Sequence, residues 1–491
     1  MKPSSLLRED LSIHTGALKR AALYSLLFLF AAHAFCFFNL TYSSGSVMLS
    51  AASGRSAQIA AGHYLLPIYW RIRGSISSPL FVGMLSALYL TATNLVLVVL
   101  LRIRHALPVF ALCGATTVNA AVLSICASSL NTADAAFLAL LLASLACLCA
   151  LRVRWGALPG ALLLAGALAL DANACAFFAA LSLIALLVGL LDGRRAGFRA
   201  LAAPLAALAA ALMLHRLGHV LLLHRNALQS GSHFLLFGGN LLQAYLAPIR
   251  ALLSPLTAYA GLSAAIRILL ALLCAAGVAR LARTRKKDAF VLAAGLLVLP
   301  LLCGMTFLSA QTGIQIAPAH CLLDVGMIVM LSHLLPERKT IRNLGAAAFS
   351  ALFLGSIIFS NQVYLKKNLE FESTLSVMSR VITRMEKVPG YQVGYTPVAM
   401  VGTLEDSVFS VKRKGFEHLS ALDAAKDNYA IASDMDTIWY MWEVLGYPVN
   451  FVSTHDLARI AGSDAVKSMA VFPQDGCCAL VDGVLVVRLS E

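Results

Sequence analysis

The sequence predicts a polytopic α-helical membrane protein of about 11 spans, followed by a small C-terminal α/β domain on the outer side of the membrane. Three observations point there. The 491 residues are 59% hydrophobic and only 13% charged, about half the charge of a water-facing protein. The apolar residues gather into runs long enough to cross a bilayer. The charge is also split: residues 1–361 carry 26 Lys and Arg against 8 Asp and Glu, and residues 362–491 carry 12 against 16. The formal charge of +14 therefore splits into −4 for the tail and +18 for the apolar part, in short connectors. There it speaks for membrane orientation and not for nucleic-acid binding. The composition break near residue 361 divides a transmembrane domain, 1–361, from an extracytoplasmic domain, 362–491.

A span takes about 20 apolar residues at about 1.5 Å each. Such runs cover 21–38, 79–101, 107–128, 135–151, 157–171, 173–191, 200–223, 259–281, 289–310, 320–336 and 344–361, with 157–171 and 320–336 short. The run after Lys19–Arg20 lacks a small-residue cleavage site, so it reads as a retained helix. With Lys2, Arg8, Lys19 and Arg20 in the cytoplasm, every second connector is basic. These connectors hold Arg102/Arg104, Arg152/Arg154, Arg194/Arg195/Arg199, Arg280 to Lys287, and Arg338/Lys339/Arg342. An odd number of spans then carries the C-terminal domain outside.

Two outer loops are long. Loop 39–78 holds the amphipathic stretch from His63 to Arg73, whose aromatics and Arg71 suit a helix lying in the membrane interface. Loop 224–258 is similar, with Tyr245, Pro248 and Arg250. Carriers tend to short loops and paired repeats; no such repeat is visible, which favours work at the outer surface over transport. In the tail, Phe371, Leu375, Met378, Ile382 and Met385 repeat at helical spacing until Pro389–Gly390. Strand-like runs follow at 392–401, 448–453, 478–482 and 484–489, with helices expected at 434–446 and 455–469. Asp482–Gly483 is a hairpin turn signal.

Ionisable groups inside a bilayer are costly, so each needs a reason. Between residues 38 and 361 the acids are Asp134, Asp171, Asp192, Asp288, Asp324 and Glu337. The topology puts Asp134 in a turn between spans, Asp171 at the tip of another and Asp324 a turn inside the tenth span, all toward the outside. Glycosyl transfer from a lipid phosphate needs a carboxylate for the acceptor's proton. It also needs cations, or a divalent metal, on the leaving phosphate. His63, Arg71, Arg73, Arg225, Arg250 and, within spans, Arg216 and Arg267 supply outer-side charge. Each has a plainer reading. Asp134 can cap the next helix, Asp171 can be a solvated turn, and Arg267 with Asp324 a structural pair. Arg71 and Arg73 can anchor to head groups, and His215 with His219 can be interhelical packing. Nine of the 11 cysteines lie in or beside apolar runs, and no Cys/His spacing marks a metal site. Cys477–Cys478 reads as a pair of free thiols. Asn39-Leu40-Thr41 fits a glycosylation sequon.

Several segments resemble a known family. Phe38–Asn39, Gly62-His63-Tyr64-Leu65-Leu66-Pro67, Arg73–Gly74 and Ser78–Pro79 look like the first outer loop of the Gtr-type O-antigen glucosyltransferases. These are polytopic bacterial enzymes of the GT-C superfamily. The likeness continues through Asn131-Thr132-Ala133-Asp134, Asn361-Gln362-Val363-Tyr364, Pro389-Gly390-Tyr391 and the closing run Val481 to Ser490. It covers nearly the whole chain. It implies transfer of glucose from a polyprenyl-phosphate sugar donor to a surface glycan or lipid-linked acceptor, at the outer face of a bacterial cell membrane. Asp134 falls on the family's acidic position, whereas loop 39–78 holds no Asp or Glu where members usually carry one.

The expectation is thus a membrane glycosyltransferase with Asp134 as catalytic base. His63, Arg73, Arg71, Asp171, Arg267 and Asp324 are its candidate substrate-binding residues. The acid-free first loop keeps a second reading open: a catalytically inactive relative that binds lipid-linked sugar or supports glycan assembly.

Overall fold

The computed structural model describes residues 3–39, 58–59, 61–74, 78–128, 130–193, 198–223, 240–254, 256–305, 316–334, 339–404, 406–407, 413–431 and 434–491. Thr41 of the sequon, Arg225 and Glu337 lie outside them.

The chain is a polytopic helical membrane protein. Eight helices among the described residues are long and apolar enough to cross a bilayer. The order is α1 (Pro3–Phe38), α2 (Leu66–Arg73), α3 (Pro79–Leu100), α4 (Ala106–Thr117), α5 (Ala120–Ser128), α6 (Leu130–Arg152) and α7 (Ala157–Leu168). Then come α8 (Ala174–Leu191), α9 (Phe198–Leu223), α10 (Leu241–Leu253), α11 (Ala260–Thr284), α12 (Lys286–Cys303), α13 (Cys321–Leu334) and α14 (Lys339–Glu386). The expected spans at 157–171 and 320–336 form the short apolar helices α7 and α13.

What faces outward decides the solvent. Leu23, Leu27 and Phe30 on α1, Met213, Leu217 and Leu221 on α9, Leu269 and Leu272 on α11, and Phe290 and Leu297 on α12 are all exposed. A soluble protein does not leave such belts bare. Small residues let the helices close up. A Cβ on Gly160 of α7 would sit 2.9 Å from the Ala146 carbonyl of α6, and one on Gly114 of α4 would enter the Phe353 ring of α14.

The expected single span 107–128 is two helices. The ladder stops at Val118, and Asn119 serves both ends. Its Nδ2 donates to Ala115 O and Thr116 O at 3.0 and 2.9 Å, and its Oδ1 accepts from the N–H groups of Ala121 and Val122 at 2.9 and 3.1 Å. One side chain thus satisfies carbonyls and amides that the break would orphan.

The chain divides into two compact units, the first holding most of the chain up to Asn361, the second chiefly Gln362–Glu491. α14 runs unbroken through that boundary for 48 residues. At about 1.5 Å per residue it extends far beyond a hydrocarbon core of about 30 Å. No proline interrupts it before Pro389, so the composition break marks a change of surroundings and not of secondary structure.

The second unit is α/β. Strands β1 (Pro397–Val401), β2 (Asn450–Phe451), β3 (Cys478–Val481) and β4 (Val484–Arg488) order as β2-β1-β4-β3. β1 is parallel to β2 and β4, and β3–β4 is an antiparallel hairpin. Asp482 and Gly483, both at positive φ, make its turn. Alternation sets the layers. Val398, Met400, Leu485 and Val487 face Val377, Met378, Val381 and Met385 of α14. Ala399 and Val486 pack with Val466, Leu457 and Ile460 of α16 (Thr454–Ala461) and α17 (Asp464–Lys467) on the other face. A short helix α15 (Asp434–Trp439) precedes β2. The buried stripe of α14 differs from the expected one. Leu375 is exposed, and Thr374 turns inward, accepting from Ala430 N–H at 2.8 Å and donating to Glu370 O.

Candidate functional site

Three groups of polar side chains lie within the first unit. The first is built on α2, whose residues at helical spacing Leu66 and Trp70 are buried. Tyr69 and Arg73 share its other inward row. Both reach Asp134. Arg73 Nη1 meets Oδ1 at 2.7 Å, and the Tyr69 hydroxyl donates to Oδ2 at 2.7 Å. Asp134 is completely buried, and the Arg73 side chain is 2% exposed. Burial, with the Asp134 charge beside it, pushes the Tyr69 hydroxyl well above its ordinary pKa, so it stays a donor.

The placement of Asp134 differs from the expected one. α6 begins at Leu130, so Asp134 is inside the helix and not in a turn or at a cap. Its two oxygens are each taken by a donor, and its charge is neutralised by Arg73. The pair ties α2 to α6. Arg71, two residues from Arg73, is exposed and does not join it.

The second group clamps the segment before α2. His215 Nε2 meets Gly62 O and His219 Nε2 meets Ile59 O, each at 3.0 Å. The Tyr64 ring stacks on both imidazoles, over Gly218, where a Cβ would sit 2.6 Å from the Tyr64 oxygen. His63 Nδ1 meets Gln58 Oε1 at 2.9 Å. Burial lowers the His63 pKa, and the nearby Asp171 charge works against that shift. Asp171 itself accepts from the N–H and side-chain amide of Asn173 at 2.8 and 2.9 Å, opening α8. The His215–His219 pair is interhelical packing, and His63 keeps company with it and not with Arg73.

The third group borders a cleft. Arg267 of α11 lays its Nε and Nη2 on the Asp324 carboxylate of α13 at 3.2–3.3 Å. Its Nη1 donates to Leu252 O and Ser263 Oγ, both at 2.8 Å. The cleft is lined by these two residues with Asn119, Ala120, Ser254, His320 and Ser356. Its free volume of about 40 Å³ holds about three or four waters, at roughly 10–15 Å³ each. The break between α4 and α5 opens here, so the N-terminus of α5 adds its partial positive charge. Broken helices inside a membrane occur where they line a cavity.

The chain matches no known family, curated protein or solved structure.

The site therefore stands on its own geometry. Arg73 joins Asp134, Arg267 joins Asp324, and His63 neighbours Asp171; Arg71 joins none of them. Asn119 and His320 carried no expectation from the sequence. The polar run Thr116-Thr117-Val118-Asn119 inside an apolar span was the visible signal for the first of them.

The helices also sort their charges. Arg102 meets Asp192 at 3.1 Å, and His333 meets the same carboxylate at 3.4 Å. Arg152 donates to Leu100 O beside them. Asp134 lies at the other end of α6 from Arg152, about 27 Å away at 1.5 Å per residue. Asp324 likewise lies at the other end of α13 from His333.

Proposed function

We propose that this chain is a GT-C-like membrane glycosyltransferase. It takes a sugar, glucose by the family resemblance, from a polyprenyl-phosphate donor and moves it to a surface glycan or lipid-linked acceptor. The reaction runs at the outer face of a bacterial cell membrane, where the C-terminal unit also lies. The carrying observation is the cleft in which Arg267, Asp324 and the α5 N-terminus converge, at the end of α13 away from the Arg102–Asp192–His333 cluster. The basic connectors mark the latter end as cytoplasmic.

In this reading Asp324 takes the proton of the acceptor hydroxyl as that oxygen bonds to the anomeric carbon. The bond from that carbon to the phosphate oxygen breaks, and polyprenyl phosphate leaves against Arg267, with the partial positive charge of the α5 N-terminus beside it. The Arg73–Asp134 clasp positions α2, and Arg71 lies free to meet lipid head groups. The cleft must widen, because a few waters' volume does not admit a sugar. Among the described residues no three His, Cys, Asp or Glu side chains gather, and Asp134 and Asp324 each carry a guanidinium, so the positive charge in this step is that of Arg267.

The test is transfer from a polyprenyl-phosphate sugar in vesicles. Asp324→Asn is expected to lower turnover by about 100-fold or more, with Arg71→Gln within a few-fold of wild type. Unchanged turnover in Asp324→Asn overturns the assignment. The second reading, a lipid-linked-sugar binder or glycan-assembly partner without turnover, is favoured by the buried Asp134–Arg73 pair. Saturable donor binding without transfer by the wild-type protein would select it.

A further inference from the structure

The C-terminal unit holds two adjacent thiols whose chemistry the proposed transfer does not use. Neighbours in a strand point to opposite faces, yet the Sγ atoms of Cys477 and Cys478 lie 3.8 Å apart. The cause is local. Gly476, at φ +87°, and a turn closed by Cys477 N–H to Gln474 O bend the chain just before β3 begins at Cys478. Cys477 is buried in the unit's core and Cys478 is half-buried. Arg384 of α14 bonds Asp475 and the Pro473 carbonyl beside them.

We propose that Cys477 and Cys478 are a reversible dithiol/disulfide couple, a modification site that a small-molecule disulfide oxidises. The pair is poised for thiol exchange. Cys478 donates its proton toward the Cys477 sulfur, and with the Arg384 charge this lowers the Cys477 pKa to about 7 despite its burial. The same hydrogen bond and burial push Cys478 up. At neutral pH a substantial fraction of the pairs therefore carries one proton between its two sulfurs. When that proton passes to Cys477, the more accessible Cys478 sulfur attacks the external disulfide and expels one thiolate. The Cys477 sulfur then attacks Cys478 and expels the second. The monoanionic pair plus one external disulfide thus gives the cyclic disulfide, one thiol and one thiolate. Consecutive Cα atoms are about 3.8 Å apart, shorter than the usual disulfide span of about 4.4–6.8 Å. The ring is therefore strained and readily reduced, a switch and not a staple.

The sequence makes the test clean. Trypsin releases 468–488, bounded by Lys467 and Arg488, with both thiols and no other cysteine. The full-length protein in its membrane is exposed to glutathione disulfide, alkylated with N-ethylmaleimide, digested and weighed. The expected product is that peptide lighter by two hydrogens, unalkylated, and restored by dithiothreitol. Cys477→Ser is expected to stop at a glutathione adduct on Cys478, and Arg384→Gln to slow oxidation at pH 7 by about 3–10-fold. Recovery of a doubly alkylated peptide from oxidised wild type overturns the proposal, as does a stable glutathione adduct in place of the ring.

Discussion

At the residue scale the buried Arg73–Asp134 pair is the point where a single change does the most damage. Arg73→Gln leaves a fully buried carboxylate without its opposite charge, held by the Tyr69 hydroxyl and a backbone N–H. Breaking such a pair costs about 3–5 kcal/mol, so the variant should unfold well below wild type in a thermal melt in detergent. Adding Asp134→Asn removes the stranded charge and should recover most of the loss. Equal damage in single and double variants would show that the pair is not coupled. Both residues stood out in the sequence as outer-side charges, but their partnership did not. They are 61 positions apart, and nothing in a one-dimensional pattern shows that α6 starts at Leu130 and so turns Asp134 inward. His63 and Arg71 illustrate the same limit. Residue type suggested a shared phosphate site, whereas the phase of α2 sends Arg71 to the surface and the clamp on His215 and His219 draws His63 elsewhere.

At the element scale the break at Asn119 matters most, because it opens the α5 N-terminus to the cleft. Asn119→Ala removes a double cap, and loss of a cap costs about 0.5–2 kcal/mol. A drop in melting temperature is expected, together with lowered transfer as the α5 N-terminus loses its fixed position at the cleft. Normal stability and normal turnover would show that the cap is dispensable. Hydropathy could not reveal this break: averaged over a window, Ala106–Ser128 scores as one apolar span. α14 shows the converse. Composition drew a boundary near residue 361 where the backbone continues without one. The hairpin at Asp482–Gly483 was legible because its turn requires residues that tolerate positive φ. The strands flanking it were legible because alternating apolar residues face two helical layers.

At the scale of the whole molecule, membrane residence follows from belts of exposed Leu, Phe and Met on helices of spanning length. Orientation is a separate matter, and it rests on the alternation of basic connectors. A tag after Glu491 should be reached by protease added to intact cells, and one ahead of Lys2 only after lysis; both tags on one side would reverse the outer assignment of the cleft. The chemistry was less legible than the topology. Composition and spacing isolate a handful of embedded acids, but which of them borders a cavity depends on how α11, α13 and the broken α4–α5 pair pack together. The cleft at Arg267 and Asp324 therefore carries the central claim, and one experiment bears on it most directly. The purified protein is reconstituted in vesicles with labelled polyprenyl-phosphate glucose and an outer-face glycan acceptor. Wild type should move the label and release polyprenyl phosphate, and Arg267→Gln should lower that rate by about 100-fold or more. Donor that stays intact with the wild-type protein, or transfer that ignores the Arg267 change, would contradict it.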